Sequence, residues 1–348
     1  MSSCSGQRSV LVQGNVYTET NKSVDKVTVS LEGSSMESET NLDGEYAFPN
    51  MGMGGDYIVN PYSNQEVLNG VSTLDLVAIQ RHVLGIEQLD SPYKYIAADI
   101  DNNKVINGVD LVELRKLILG IYTEFPANDS WRFVDQNYSF TNSTNPLADG
   151  FTEDYEISSL DSDMLVDFVA VKIGDVNNSV EVGVEASGKP SGNRIAMTMG
   201  SAEQLTEDLV YIPVTIDEAA LGMQLELTYD SELFQVVDIE GVNAEVTPSN
   251  FIINDNRVLL SWNSSVAVQG TVFNIIGMKK NAGSLDQAIH LVDNRLKSEI
   301  YNNKGEIFTP VLNSSEKLVT AFALTQNCLL YTSPSPRDQR GSRMPSSA

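Results

Sequence analysis

One stretch of this chain is written twice. Asp75-Leu-Val-Ala-Ile-Gln-Arg-His-Val-Leu-Gly85-Ile86 recurs 35 positions later as Asp110-Leu-Val-Glu-Leu-Arg-Lys-Leu-Ile-Leu-Gly120-Ile121. Helical spacing puts Leu76, Ile79, Val83 and Leu84 on one face of the first copy, and Leu111, Leu114, Ile118 and Leu119 on the equivalent face of the second. Two such faces can bury each other. Gly85 and Gly120 stand where a glycine ends a helix, because glycine reaches left-handed backbone angles cheaply.

The loop before the second copy reads Asp99-Ile-Asp101-Asn-Asn103-Lys-Val105-Ile-Asn107-Gly-Val-Asp110. Oxygen side chains stand at loop positions 1, 3, 5, 9 and 12 and the Val105 carbonyl at position 7, the ligand pattern of a calcium loop. A bland alternative makes it a polar turn with Asn107 as helix cap. Lys104 occupies a position that calls for a left-handed backbone, which costs a non-glycine residue on the order of 1 kcal/mol. In the loop before the first copy, Asn64, Glu66, Gly70, Ser72 and Asp75 align to positions 1, 3, 7, 9 and 12, but Leu68 falls at position 5 and cannot coordinate. One calcium is therefore expected rather than two.

The paired loop-helix halves, each with Asp at the last loop position followed by Leu-Val and closed by Leu-Gly-Ile, resemble dockerin domains over about 60 residues. The resemblance implies a calcium-dependent module that docks on a cohesin-like protein domain. It maps the docking residues to Thr73, Leu74, Gln80 and Arg81 in the first copy, and to Gly108, Val109, Arg115 and Lys116 in the second. The competing reading is that the cations are solvated residues near helix C-termini, where they suit the dipole.

Either side of the duplication the pattern changes to short alternating runs. Val12-Gln-Gly14-Asn-Val16, Val27-Thr-Val29-Ser-Leu31 and Glu45-Tyr46-Ala-Phe48, with turns such as Asp43-Gly44 between them, predict a β-sandwich over 8–62. Its Asp-Gly-Glu-Tyr-Ala-Phe segment resembles prealbumin-like, carboxypeptidase regulatory-like modules. Residues 63–122 form the duplicated module and 123–181 an extension of it. Trp131-Arg-Phe133 and Val171-Lys-Ile-Gly-Asp-Val-Asn177 resemble extensions in secreted surface proteins of the Bacteroidetes type. Gly174-Asp175-Val176-Asn177 also looks like the opening of a calcium loop, but the twelfth position counted from Asp175 is Ala186, which offers no side-chain oxygen. The acidic run through Glu153, Asp154 and Glu156 reads as a solvated loop. A Gly/Ser/Pro linker follows at 182–193.

Residues 194–313 are again strand-rich, and Ile212-Pro-Val-Thr-Ile216, Gly222-Met-Gln-Leu-Glu-Leu-Thr-Tyr229 and Leu260-Ser-Trp262 resemble a cohesin domain. The basic, proline-rich end, 328–348, is unlike the rest and is expected to be non-native, with the natural chain cut short near Asn327. The expected fold class is multidomain and mainly β with a small α module: two antiparallel β-sandwiches flanking a dockerin-like helical pair.

A net charge of −25, from 47 acidic against 22 basic residues, repels nucleic acid and anionic lipid and attracts divalent cations. No apolar run is long enough to predict a membrane-spanning helix, and Met1–Arg8 lacks the apolar core of a secretory signal. The only cysteines, Cys4 and Cys328, lie near the ends, which excludes a disulfide framework. His82 and His290 sit in no zinc or triad motif, and no phosphate loop or nucleophile elbow is present, so a non-catalytic chain is expected. With the resemblances, this implies an extracellular or outer-surface calcium-binding assembly protein, linked to polysaccharide degradation or adhesion. Two alternatives stay open: a carbohydrate-binding protein using the C-terminal sandwich, and a purely structural adhesin segment. Head-to-tail association between copies is also conceivable.

Overall fold

The computed structural model describes residues 9–142, 145–183, 192–314 and 317–318, so the expectations for 328–348 and for most of the linker lie outside the described residues. The N-terminal strand Ser9–Thr18 alternates strictly, with Val10, Val12 and Val16 turned inward. It pairs antiparallel with Glu45–Gly52, Val12 opposite Phe48. Its other edge pairs in parallel with Met164–Leu165 and with Phe168–Lys172, Val16 opposite Phe168. Trp131–Asp135 extends that sheet antiparallel to Phe168–Lys172. The facing sheet runs Met36–Glu39, Thr28–Glu32, Tyr57–Tyr62, Tyr155–Ile157. Val12, Val29, Leu31, Phe48, Val59, Phe133 and Phe168 fill the space between them.

Residues 8–62 do not close a sandwich alone, because 131–172 supplies strands to both sheets. The segment 123–181 is thus the missing part of the N-terminal unit as well as a neighbour of the helices. The sheets are also not purely antiparallel. Strand Phe168–Lys172 is buried along its whole length, and the reason is that both its faces are covered. Phe168 and Ala170 point into the sandwich, whereas Val171 and the following Ile173 point to the helices, as does Val134 on the neighbouring strand. Gly14 sits where this layer is tightest: a Cβ there would lie 1.7 Å from the Val166 carbonyl oxygen.

On the outer face lie α1 (Thr73–Val83), α2 (Pro92–Ala98) and α3 (Gly108–Ile118). The two copies begin and end alike. The side chains of Ser72 and Asn107 each cap a helix, and their backbone N–H groups donate in return to Asp75 and Asp110, a capping box in both. Gly85 (φ +69) and Gly120 (φ +75) close both helices, with Ile86 N–H donating to the Arg81 carbonyl and Ile121 N–H to that of Lys116 at 2.8 Å each. Leu76, Ile79, Leu114 and Ile118 pack with Ile96 and Ile100 against the sheet. Val83 and Leu84, expected in this face, are instead exposed, because α1 runs past the edge of the layer that covers its first two turns.

The C-terminal unit is built on two long strands, Leu209–Tyr229 and Arg257–Lys279, paired antiparallel with Met223 opposite Trp262. Register shifts near Thr215 and Ala220 bend the pair, so one hydrogen-bonded sheet folds over itself around Val214, Leu225, Trp262, Phe273 and Ile275. Here too one pairing is parallel, Arg194–Met199 with Ile307–Asn313.

Expressed alone, residues 9–62 are expected to stay unfolded, with collapsed amide dispersion in NMR spectra, whereas 9–183 folds cooperatively. A folded 9–62 fragment would show that the strands from 155–172 are dispensable.

Candidate metal loop and docking face

Local sequence builds the loop at 99–110. Asp99 ends α2, and its two carboxylate oxygens accept from Asn103 N–H and Lys104 N–H, both at 3.0 Å. Asp110 Oδ1 accepts from Ile100 N–H and its Oδ2 from Asn107 N–H, at 2.8 Å each. One side chain thereby ties the first residues of the loop to the start of α3. Asn102 (φ +56) and Lys104 (φ +69) take the left-handed backbone the turn needs, as expected for Lys104. Carboxylate oxygens of Asp99, Asp101 and Asp110 lie within 4.8 Å of one another. Burial raises the affinity of Asp99 and Asp110 for protons, and backbone donors only partly offset it. Three converging carboxylates, with Asn103, the Val105 carbonyl and Asn107 in the same turn, form an all-oxygen donor set suited to a hard divalent cation. Two residues of the extension brace this turn from outside: Arg132 donates to Asn102 Oδ1 at 2.9 Å while paired with Glu153, and Asn128 donates to the Asp99 carbonyl at 2.9 Å. The acidic run is therefore not simply solvated.

The loop at 64–75 is different. Asn64 Oδ1 accepts from Ser130 N–H at 2.8 Å, and the exposed Glu66 accepts from Asn69. Gly70, Ser72 and Asp75 remain together near the start of α1, and the Gly70 carbonyl accepts from Ser179 at 3.0 Å. A buried ammonium lies close by. Lys172 donates to the Val67 carbonyl at 2.9 Å and to Ser130 Oγ at 2.8 Å, and burial lowers its pKa to about 7 against the pull of Asp175, Glu66 and Asp75.

The eight expected docking residues divide. Thr73 N–H donates to Gln224 Oε1 at 2.8 Å and its hydroxyl meets Ser261 Oγ at 2.7 Å. Gln80 Oε1 accepts from Asn263 Nδ2 at 3.0 Å, and Arg115 donates to Asn263 Oδ1. Leu74 lines a cleft shared with Leu221. Gly222 lets the strand approach α1 closely, since a Cβ there would stand 2.8 Å from Val77 Cγ2. Arg81 pairs with Glu87 and Lys116 with Glu113, within the helical module itself. Val109, beside Gly108, is exposed. Part of the face expected to meet a separate protein, at Thr73, Gln80 and Arg115, is thus covered by the C-terminal β unit of the same chain, while Gly108 and Val109 stay exposed.

Sequence reading missed the receiving side: Gln224, Ser261, Asn263 and Arg295, whose guanidinium reaches the Leu117 carbonyl at 3.4 Å. Alternation in Gly222-Met-Gln-Leu-Glu-Leu reads as a strand with one solvated face, and only the fold shows that its polar face is covered too. Behind it Glu226 accepts from the backbone N–H groups of Asn294, Arg295 and Leu296, and Leu296 packs against the helices. Trp262 is buried in the core, whereas Tyr211, which bonds Glu203 at the surface, and Phe251 are half-buried.

The chain matches no family model and no curated protein. Its fold is similar, over about a third of its length, to solved cohesin domains. One is the solution structure of CaCohA2 from Clostridium acetobutylicum, at 17% identity and TM-score 0.29, covering 37% of this chain and 91% of that one. Another is a type I cohesin–dockerin complex from Clostridium thermocellum, at 19% identity and TM-score 0.26, covering 34% and 94%. A third is a non-cellulosomal cohesin from the hyperthermophilic archaeon Archaeoglobus fulgidus, at 18% identity and TM-score 0.27, covering 36% and 92%.

Burial of Lys172 makes stability depend on pH. The ordinary lysine pKa is 10.5 and the folded value about 7, so between these pH values the unfolded chain binds a proton that the folded chain does not. Stability contributed by this group then rises with pH across that window and falls as pH drops toward 7. Lys172→Met is expected to lower the slope of unfolding free energy against pH by about 1.4 kcal/mol per unit there, measured by urea denaturation in chelator. An unchanged slope would mean that the ammonium stays charged in the fold.

Proposed function

We propose that this chain is a non-catalytic, calcium-ordered assembly segment of an extracellular protein, in which a dockerin-like helix pair is docked on a cohesin-like unit of the same polypeptide. The observation that carries the reading is the contact of Thr73, Gln80 and Arg115 with Gln224, Ser261 and Asn263. Residues that the dockerin resemblance assigns to partner binding meet a bent β unit whose strands carry the cohesin resemblance. Several similar solved structures are complexes of a cohesin with a dockerin, and here both partners would be tethered. Calcium held by Asp99, Asp101, Asn103, the Val105 carbonyl, Asn107 and Asp110 fixes α3, and so presents Arg115 to Asn263.

The surroundings agree with an extracellular setting. Lys104 in a left-handed turn weakens the loop by on the order of 1 kcal/mol, which suits the millimolar calcium outside cells better than a cytosolic signal. Stability without interior cysteines fits a metal-ordered rather than disulfide-bonded surface protein.

Hydrogen exchange on the full chain, in calcium and in chelator, tests the reading, with light scattering to fix the mass. The expected result is a monomer in both, with protection of 73–83 and 222–226 falling together in chelator. Gly222→Leu, which pushes into Val77, should reproduce that loss in calcium. Equal protection with and without calcium would overturn the coupling, and a calcium-dependent dimer would move the contact from within one chain to between two.

A further inference from the structure

The loop in front of the first helix copy carries Leu68 at a ligand position, yet its Asp75 is held just as Asp110 is. Asp110 accepts from the N–H of Asn107, three residues before it, and from that of Ile100, the residue after Asp99. Asp75 accepts from the N–H of Ser72, three residues before it, at 2.9 Å, and from that of Val176, the residue after Asp175, at 2.9 Å. Asp99 accepts from the N–H groups four and five residues on, Asn103 and Lys104. Asp175 does the same with Ser179 at 3.0 Å and Val180 at 2.8 Å. Asn102 and Asn178, each three residues after that aspartate, share a left-handed backbone at φ +56 and +61. The correspondence holds at four bonds and one backbone angle, although the second set joins segments about a hundred residues apart in the chain.

We infer that a second divalent-cation site is assembled from two separate segments, Asp175, Asn177 and Ser179 on one side and the Gly70 carbonyl, Ser72 and Asp75 on the other. The assignment of the ion as calcium rests on the reading of the 99–110 loop given above; the site itself does not.

An independent observation points to a missing ligand. Asn177 Oδ1, at the place that Asp101 takes in the other loop, is fully buried and accepts no hydrogen bond. A buried oxygen with no donor is costly unless a cation or other partner meets it. Asp75 and Asp175 are themselves buried: burial raises the proton affinity of both, Asp175 raises that of Asp75 further, and the nearby Lys172 ammonium, which bonds Val67 and Ser130, lowers that of Asp175. Two adjacent buried carboxylates call for a counter-cation or a shared proton. The crossing is also built for close approach: Gly70 has φ +77, and a Cβ there would come within 2.8 Å of Asp175 Oδ2 and 2.7 Å of Val180 Cα. Asn64 and Glu66, counted as ligands in a contiguous loop, have no place in this arrangement.

The test is calcium titration of the full chain by calorimetry, with native mass spectrometry to count ions. Two calcium ions are expected for the unaltered chain and for Glu66→Ala. One is expected for Asp175→Asn and one for Asp101→Asn. Asn177→Ala, which keeps both carboxylates, should weaken one of the two sites by on the order of tenfold or more and serves if Asp175→Asn fails to fold. A single ion that survives Asp175→Asn and Asn177→Ala but vanishes in Asp101→Asn would overturn the split site and leave the 99–110 loop standing. Loss of one ion in Glu66→Ala but not in Asp175→Asn would overturn it in favour of the contiguous loop. No calcium in any chain would remove both sites together, leaving Lys172 and Lys22, which donates to the Asn178 and Val180 carbonyls at 3.0 and 2.8 Å, as nearby positive charges.

Discussion

The arrangement of the whole molecule depends on what it takes to keep Asp75 and Asp110 ionised inside the protein. Both side chains are fully buried, and both of their oxygens are spent on backbone N–H groups that come from opposite ends of a turn. Four such bonds fix where α1 and α3 begin more tightly than helix propensity could, since isolated helices of eleven residues are marginal in water. The same burial raises the cost of the negative charge, and backbone donors offset only part of it. A cation in each turn would remove the rest. Helix position and metal occupancy are then one equilibrium viewed from two sides.

That equilibrium reaches the C-terminal unit through very short paths. Ser72 caps α1 and bonds Asp75, and the next residue, Thr73, bonds both Gln224 and Ser261. Tyr301, from the strand beside Met223, lies close enough to Ser72 and Asp75 for both to shift its proton affinity, while its hydroxyl donates to Glu299. From α3 the path is Asp110 to Arg115 to Asn263, just over one helical turn. Any loosening of the turns therefore displaces the first residues of the docking face before it displaces the hydrophobic contacts of Leu76 or Leu114.

What could be read from sequence follows from separation along the chain. The duplication, the closing glycines and the loop at 99–110 involve residues no more than a dozen positions apart, and their geometry is close to what their spacing implies. Strand positions were legible for the same reason, since alternation is local. Their partners were not. Val16 pairs with Phe168 across about 150 residues, and nothing in either run names the other. The Asp175 segment shows both sides of this limit. Its chemistry was visible, but counting forward from it ends at Ala186. The remaining half of that turn lies behind it in the chain, at Gly70 to Asp75. Val83 and Leu84 failed for a simpler reason: periodicity marks a face but not the length over which a neighbour covers it.

The contact between the helix pair and the C-terminal unit joins apolar packing by Leu259 and Leu296 to a polar seam that is imperfect. Arg115 brings its guanidinium to Asn263, yet its Nε is buried without an acceptor, and burial lowers the affinity of the group for its proton. An unmet buried donor costs on the order of 1–3 kcal/mol, comparable with the net gain from the few neutral hydrogen bonds around it. Between separate molecules such a contact would bind weakly, because association must also overcome lost translational freedom. Within one chain a short connection holds the partners at millimolar effective concentration, and modest contacts then suffice to keep them together. Tethering therefore adds to the packing of Leu259 and Leu296 and to the bonds of Thr73, Gln80 and Arg115, and a change in the turns at Asp75 and Asp110 would be felt first in the polar part of the contact.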